Sequence, residues 1–135
     1  MPVQHLNPEG ITKPASYWQV SVATGSRTVY VAGQTALDEN GVPLHEGDLA
    51  AQTERVYLNL ATALKGAGAT FADVTMLTVY VVGLTPEKRD QYHAGSLRAA
   101  EALGVDLRKP STLIGVTSLA RPAFLIEIEA IAVLP

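Results

Sequence analysis

The carboxylates that could do chemistry in this sequence lie close to its end. Glu127 and Glu129 are two residues apart in an otherwise apolar run, so both would lie on one side of a strand. A carboxylate among apolar neighbours has to be paired, hydrogen-bonded or linked to water, and such a carboxylate is a candidate site residue. The alternative is a structural role, because most strand glutamates are solvated or paired.

Other catalytic constellations find no support in the sequence. His5, His45 and His93 are scattered without acidic or histidine neighbours at metal-ligand spacing, which argues against a metal centre. The glycine pair at residues 66–68 follows a predicted helix and not a strand, which argues against a dinucleotide fingerprint. Ser118 lacks the closing glycine of a nucleophile elbow.

A few basic and aromatic side chains are candidates for ligand contact. Arg27, Lys88, Arg89 and Arg121 could each hold an anionic ligand, although basic side chains in turns or on polar helix faces are more typically solvated. Tyr17 opens the first predicted strand, where an aromatic ring either packs or lines a binding site.

The composition is typical of a folded, cytoplasmic protein. Hydrophobic residues make up 47% of the 135 residues and charged residues 17%, unlike the charge-rich composition of disordered chains. The formal net charge of -3 leaves no basic surplus, so we expect no nucleic acid partner. The chain has no cysteine, no signal-peptide pattern and no apolar run of about 20 residues, so neither disulfides nor membrane association is expected.

The first half of the chain predicts strands followed by a helix. Residues 17–23 and 28–32 read as a hairpin around a Gly-Ser turn, and residues 35–44 read as a shorter excursion around an Asn-Gly turn. Apolar residues at helical spacing then predict a helix that Asp48 caps and that ends in the glycines at residues 66–68.

The second half predicts three strands and one helix. Residues 74–82 are dense in β-branched residues, which favours a strand. Thr85 suits an N-cap before a helix that runs to about Leu103. Residues 111–119 and 124–133 read as the closing strands.

The predicted order ββ(β)αβαββ is typical of an α+β sandwich with both helices on one face of the sheet, formed by one domain spanning residues 1–135.

The central strand, residues 74–82, would be apolar on both sides. One side would carry Thr75, Leu77, Val79 and Val81, and the other would carry Val74, Met76, Thr78, Tyr80 and Val82. Both sides are largely apolar, and two helices cover only one of them. We therefore expect a homo-oligomer; the alternative is a monomer whose N-terminal segment covers the second side.

Four stretches together resemble the RidA/YjgF family: residues 29–34 (Val-Tyr-Val-Ala-Gly-Gln), 74–82, 109–112 (Lys-Pro-Ser-Thr) and 126–133 (Ile-Glu-Ile-Glu-Ala-Ile-Ala-Val). The likeness spans nearly the whole chain. It implies a chorismate-mutase-like fold, a homotrimer with a barrel-like centre, three small-molecule clefts between subunits, and no cofactor. Active members of the family hydrolyse reactive enamines and imines to 2-oxo acids and ammonia.

The resemblance also implies roles for particular residues. A glutamate on the last strand positions water in the active members, and it matches Glu127. A tyrosine near the start lines the cleft and matches Tyr17, although a small insertion near Gly25 blurs that register.

The family's substrate-gripping arginine is missing from this chain. Its position holds Thr112, or Ser111 if the register shifts by one, and neither can form a bidentate pair with a carboxylate. The small hydroxyl residue usual before Gly33 is Ala32, and the cysteine usual two residues after the arginine is Ile114. We expect these residues to line a cleft more apolar than usual, with Glu127 as the catalytic residue.

The favoured function is therefore a RidA-like trimer whose intersubunit cleft takes a small carbonyl, imine or enamine compound and hydrolyses an enamine or imine other than the usual 2-imino acids. The alternative is a non-catalytic small-molecule-binding or regulatory module on the same trimer. An endoribonuclease is disfavoured by the acidic charge balance.

Overall fold

The computed structural model describes residues 3–135; the first two residues of the polar N-terminal stretch lie outside it. Its elements are β1 (Val3–Leu6), β2 (Val20–Ala23), β3 (Arg27–Gln34), α1 (Leu49–Gly66), a 3₁₀ turn (Phe71–Asp73), β4 (Val74–Val82), α2 (Pro86–Leu103), β5 (Ser111–Val116) and β6 (Ile126–Leu134). Within residues 3–135, neither helix is long and apolar enough to cross a membrane.

The main sheet has the strand order β3-β6-β4-β5. Strands β4 and β5 run parallel, because α2 connects them, and the other two pairs are antiparallel. The core lies between the helices and one face of this sheet, where residues such as Leu60 of α1, Val79 of β4 and Ile128 of β6 are buried. This is the predicted α+β sandwich with both helices on one face.

The caps expected from the sequence are present at both helices. The Asp48 side chain accepts a hydrogen bond from the Ala51 amide at 3.0 Å, and Thr85 accepts one from the Lys88 amide at 3.2 Å. Gly104 ends α2 in the left-handed conformation at a φ of 64°, which glycine adopts without steric cost. The sequence thus set the helix boundaries through local chemistry.

The predicted hairpin between the first two strands is wrong. Strand β2 pairs antiparallel with β1, and the two form a separate sheet, while β3 pairs with β6. The shorter excursion predicted for residues 35–44 is present, with an antiparallel bridge between Leu37 and Pro43 around the turn at Gly41. The hairpin error has a physical reason: a local turn signal does not say which strands pair across long separations.

Strand β4 departs from simple alternation at its start. The register with β6 shifts between Val74 and Met76, so Val74 is buried on the helix side together with Leu77 and is not on the opposite side as predicted. A bulge adds one residue to one strand and so changes the side on which the preceding residues lie. From Met76 onward the predicted alternation is correct.

We call the side of the main sheet that carries no helix the open face. Its members on the four strands are Thr28, Tyr30, Ala32, Met76, Thr78, Tyr80, Val82, Thr112, Ile114, Val116, Glu127, Glu129, Ile131 and Val133. The N-terminal segment does not cover this face completely, since Tyr30 is 76% exposed and both Thr112 and Ile114 are exposed.

Candidate functional site

The Glu127 carboxylate lies directly against the backbone of Gly33. A Cβ atom at Gly33 would stand only 1.9 Å from Oε2 of Glu127, so a side chain there would displace the carboxylate. The close approach occurs where the β3–β6 register shifts, between Val31 and Gln34. Glycine is the residue that allows such contact, because it has no Cβ. The structure thus brings together two of the predicted site residues.

The start of β6, which carries Glu127, is fixed by a buried amide on α1. Gln52 is fully buried; its Nε2 donates to the Ala123 carbonyl at 2.9 Å and its Oε1 accepts from the Leu125 amide at 3.0 Å. The same Nε2 donates to the His45 carbonyl at 3.2 Å. Gln52 therefore ties the helix to the segment that enters β6, and so it positions Glu127.

Tyr80 on β4 lies close to both glutamates of β6. Tyr80 lies beside Glu127 in the strand register, and its hydroxyl donates a 2.9 Å hydrogen bond to Oε1 of Glu129. This hydrogen bond is the main cause that raises the pKa of Tyr80, and the nearby Glu127 charge acts in the same direction. The phenol therefore stays protonated and serves as a donor beside both carboxylates.

Glu129 borders a shallow cavity of about 400 Å³ on the open face. Ala32 and Thr78 line the same cavity, together with the exposed ring of Tyr30. The predicted site residue Ala32 therefore shares this cavity with Glu129 and not with Glu127.

Thr112 and Ile114 lie on the open face of the edge strand β5. Thr112 is in register with Thr78, and Ile114 is in register with Tyr80. Strands β6 and β5 are separated by β4, which places them roughly 10 Å apart at the usual spacing of neighbouring strands. Thr112 and Ile114 thus share a face with Glu127 but do not touch it within one chain.

Tyr17 is the one predicted site residue that lies elsewhere. It borders a larger cavity of about 900 Å³ beyond the edge of β5, with the helix-side residues Leu77 and Val79 in its floor. Thr112 borders this cavity as well, since β5 is an edge strand. Glu127 does not border this cavity.

Two functional residues were missed by sequence reasoning, namely Tyr80 and Gln52. The alternation of β4 does put Tyr80 on the same side as Thr78, but its pairing with Glu129 depends on strand register, which no local pattern reveals. A glutamine on the apolar side of a predicted helix was the available signal for Gln52.

No basic residue occurs on the open face of the four strands between residues 27 and 134. Arg121 instead donates to the Gly41 carbonyl at 3.2 Å, and Lys88 donates to the Val82 carbonyl at 2.7 Å. Arg89 borders the larger cavity. The open face therefore offers carboxylates, a phenol and a threonine hydroxyl, but no cationic anchor for a carboxylate.

Comparison with known proteins agrees with this architecture. A family model described as Endoribonuclease L-PSP matches residues 10–134. The chain is 30% identical over 132 residues to the 3-aminoacrylate deaminase RutC of Acinetobacter baylyi, covering 98% of each chain. The crystal structure of YyfB, a conserved Rid family protein from Yersinia pestis, superposes with a TM-score of 0.86 at 37% identity, covering 99% of this chain and 100% of that one.

A member of the YjgF/YER057c/UK114 family from Mycobacterium tuberculosis is 28% identical, with a TM-score of 0.62 over 98% of this chain and 99% of that one. The matches cover both helices and all strands of the main sheet. The chain belongs to the Endoribonuclease L-PSP family, which is the RidA/YjgF family that its motifs predicted.

Proposed function

We propose that this protein hydrolyses a small enamine or imine, and that the reaction takes place in a cleft between neighbouring copies of the chain in a homotrimer. The observation that carries the proposal is the Glu127 carboxylate held against Gly33 on the open face. The relative RutC, a 3-aminoacrylate deaminase, gives the class of reaction.

Glu127 has the chemistry that this reaction needs. Water adds to the carbon of the C=N bond while the carboxylate accepts a proton from that water. The carboxyl group then returns the proton to the nitrogen, which gives a carbinolamine. The C–N bond of the carbinolamine breaks as Glu127 accepts the hydroxyl proton and passes it to the leaving nitrogen. The products are a carbonyl compound and ammonia, so an imine and one water account for all atoms.

The substrate differs from a 2-imino acid because the open face that carries Glu127 and Thr112 has no guanidinium to bind its carboxylate. Thr112 offers one hydroxyl, which suits a neutral group. A charge-assisted hydrogen bond contributes about 1.5 to 3 kcal/mol, so its absence lowers affinity for a carboxylate roughly ten- to a hundredfold.

A cleft between chains accounts for the separation of the site residues. In one chain Tyr17 borders the cavity beyond the edge strand β5, whereas Glu127 lies on β6, on the other side of β4; neighbouring chains packed through their open faces can supply one residue each. The exposed apolar side chains of that face, Tyr30 above all, favour such packing.

The proposal is tested by measuring ammonia release from imines and enamines generated in solution by amine and amino acid oxidases. We expect acceleration for substrates without a carboxylate and a loss of at least about a hundredfold in Glu127→Gln, since a positioned general base contributes that much. Glu101→Gln, an exposed glutamate on α2, is the control and should behave as the wild type. Decay at the uncatalysed rate for all substrates, or an active Glu127→Gln, would refute the catalytic role.

A non-catalytic binding module is the second candidate, and the absence of the anchoring arginine is the observation that favours it. Its signature is capture of a small carbonyl compound or imine without turnover, with binding reduced by substitution of Thr112. An RNA-cleaving role has less support, because the chain carries a formal charge of -3 and its open face carries no basic residue.

A further inference from the structure

The larger cavity lies on the helix side of the sheet, away from Glu127. Its floor is formed by Leu77 and Val79 of β4 and by Leu113 of β5, and one wall is formed by α2. Its volume of about 900 Å³ is within the range of roughly 300 to 1,000 Å³ typical of small-molecule pockets.

The cavity exists because α2 packs tightly against α1. A Cβ atom at Gly95 would stand 2.4 Å from the Ala50 carbonyl oxygen and 2.6 Å from Cβ of Thr53, so the two helices approach more closely than any side chain would allow. The buried side chains of α2 besides Gly95 are Tyr92 and Ala99. The remaining inner face of α2 is left unpacked over β5.

That unpacked face carries residues at helical spacing. Arg89, His93, Leu97 and Ala100 recur every three or four positions and all border the cavity. Leu97 is 72% exposed, which is unusual for a large apolar side chain beside an apolar floor. A bound apolar group would shelter it from water.

The charge around the cavity is positive. Arg89 and Arg108 border it together with a single carboxylate, Asp106. That carboxylate is already neutralised, because it pairs with Arg108 at 2.8 Å, and hydrogen bonding to Arg108 lowers its pKa to about 2. Arg89 forms no ion pair with any residue in the described range 3–135. One guanidinium at the rim is thus left without a counter-charge.

Two phenols supply a neutral donor at the inner end of the cavity. The hydroxyl oxygens of Tyr57 and Tyr92 are 2.7 Å apart, so one hydroxyl proton bridges them and the other remains available. Burial raises the pKa of both phenols, which keeps them protonated.

We propose that this cavity is a second small-molecule site, which takes an organic monoanion with an apolar body. The anionic group faces Arg89 and His93, and the apolar body lies over Leu77, Val79 and Leu113. Charge complementarity selects the anion, and the apolar floor selects the body. The proposal does not depend on the imine chemistry at Glu127, because Glu127 does not border this cavity; Tyr17 and Thr112 border it at the edge of β5 and are shared with the proposed cleft.

Three probes of equal shape and different charge test the proposal on the full chain by calorimetry and NMR titration: 4-phenylbutanoate, 4-phenylbutan-1-ol and 4-phenylbutylammonium. We expect the carboxylate to bind at least tenfold more tightly than the alcohol, and the ammonium to bind most weakly. Equal binding of the carboxylate and the ammonium would overturn the charge argument.

Matched variants locate the binding. Arg89→Gln should weaken 4-phenylbutanoate about tenfold, whereas Arg98→Gln, an exposed arginine on the same helix that does not border the cavity, should change nothing. Ala100→Phe should fill the cavity and abolish binding, whereas Ala102→Phe, an exposed neighbour outside it, should not. If Ala100→Phe does not fold, the comparison of Arg89→Gln with Arg98→Gln still tests whether the probe binds in this cavity.

Glu127→Gln separates this site from the proposed cleft. Binding of 4-phenylbutanoate should be unchanged in that variant, because Glu127 does not border the cavity. Loss of binding in Glu127→Gln with retention in Arg89→Gln would place the probe on the open face and refute a second site.

Discussion

At the scale of single residues, the candidate site depends on a contact between a glycine and a carboxylate. Gly33 leaves room that Glu127 Oε2 occupies, and the three atoms nearest to the missing Cβ position all belong to the Glu127 side chain. The obstruction to a larger residue is therefore the end of a flexible side chain, so a substitution moves the carboxylate and leaves the fold intact.

Gly33→Ala tests this dependence. The added methyl group should push the Glu127 carboxylate aside, so imine hydrolysis should fall to the level of Glu127→Gln while the urea unfolding midpoint stays near that of the wild type. Gly66→Ala, where a Cβ would meet nothing within 4 Å, is the control. Full activity in Gly33→Ala would mean that the observed position of Glu127 is not the working one.

Thr112→Arg tests the missing anchor. An arginine at this position of β5 would supply the bidentate partner for a carboxylate, and we expect a ten- to hundredfold gain in 2-imino acid hydrolysis. Thr117→Arg, an exposed threonine in the loop after β5, should show no gain. An inert Thr112→Arg variant with an unchanged oligomeric state would contradict either the alignment or the role of the anchor.

The ion pair of Asp106 and Arg108 gives a prediction for acid unfolding. Hydrogen bonding to Arg108 lowers the pKa of Asp106 from 3.8 to about 2, so the pair stabilises the fold above pH 3.8 and this contribution is lost as the pH falls towards 2. Urea unfolding of the wild type should therefore weaken more over this range than that of Asp106→Asn. Parallel pH dependence in the two proteins would show that the pair is not formed in solution.

At the scale of elements, the close crossing of α1 and α2 shapes the helix side of the molecule. Gly95 allows the crossing, and the crossing leaves the face of α2 that carries Arg89 and Leu97 unpacked over β5. A second contact between elements lies at the start of α1, where the Gln52 side chain is hydrogen-bonded to the backbone just before β6.

Gly95→Ala measures how closely the helices depend on each other. The methyl group would meet the Ala50 carbonyl oxygen and Thr53, which are backbone and branched groups that cannot move freely. We expect a loss of about 1 to 3 kcal/mol in the free energy of unfolding, as for other overpacked contacts. Gly66→Ala at the end of α1 is the matched control and should be neutral or slightly stabilising by helix propensity. Equal effects of the two substitutions would show that the crossing relaxes easily.

At the scale of the whole molecule, the sheet has one covered and one open face. Helices α1 and α2 bury the covered face, whereas Tyr30 on the open face remains 76% exposed. Burial against copies of the same chain would remove this apolar surface from water and would bring Tyr17 of one copy towards Glu127 of another.

Sedimentation of the wild type should give about three times the 14.3 kDa chain mass at micromolar concentration. Tyr30→Lys should yield single chains, because it places a charge in the proposed contact. Leu97→Lys is the matched control, since Leu97 is 72% exposed but lies on the helix side, and this variant should remain assembled. A well-folded wild-type monomer would refute the intersubunit cleft.

The sequence by itself determined the helices, the central strand and the family. Asp48 and Thr85 cap the starts of the two helices, and Gly104 ends the second one. These hydrogen bonds and backbone conformations span only a few residues, so the sequence pattern reveals the helix boundaries. It also placed Glu127 and Thr112 on strands of the main sheet.

Only the tertiary structure decided which strands pair and which side chains meet. The pairing of β2 with β1, the bulge that buries Val74, the contact of Gly33 with Glu127 and the cavity beside α2 all join residues distant in sequence. Such contacts depend on register and on the approach of whole elements, and a shift of one residue in register reverses the face of every side chain in a strand.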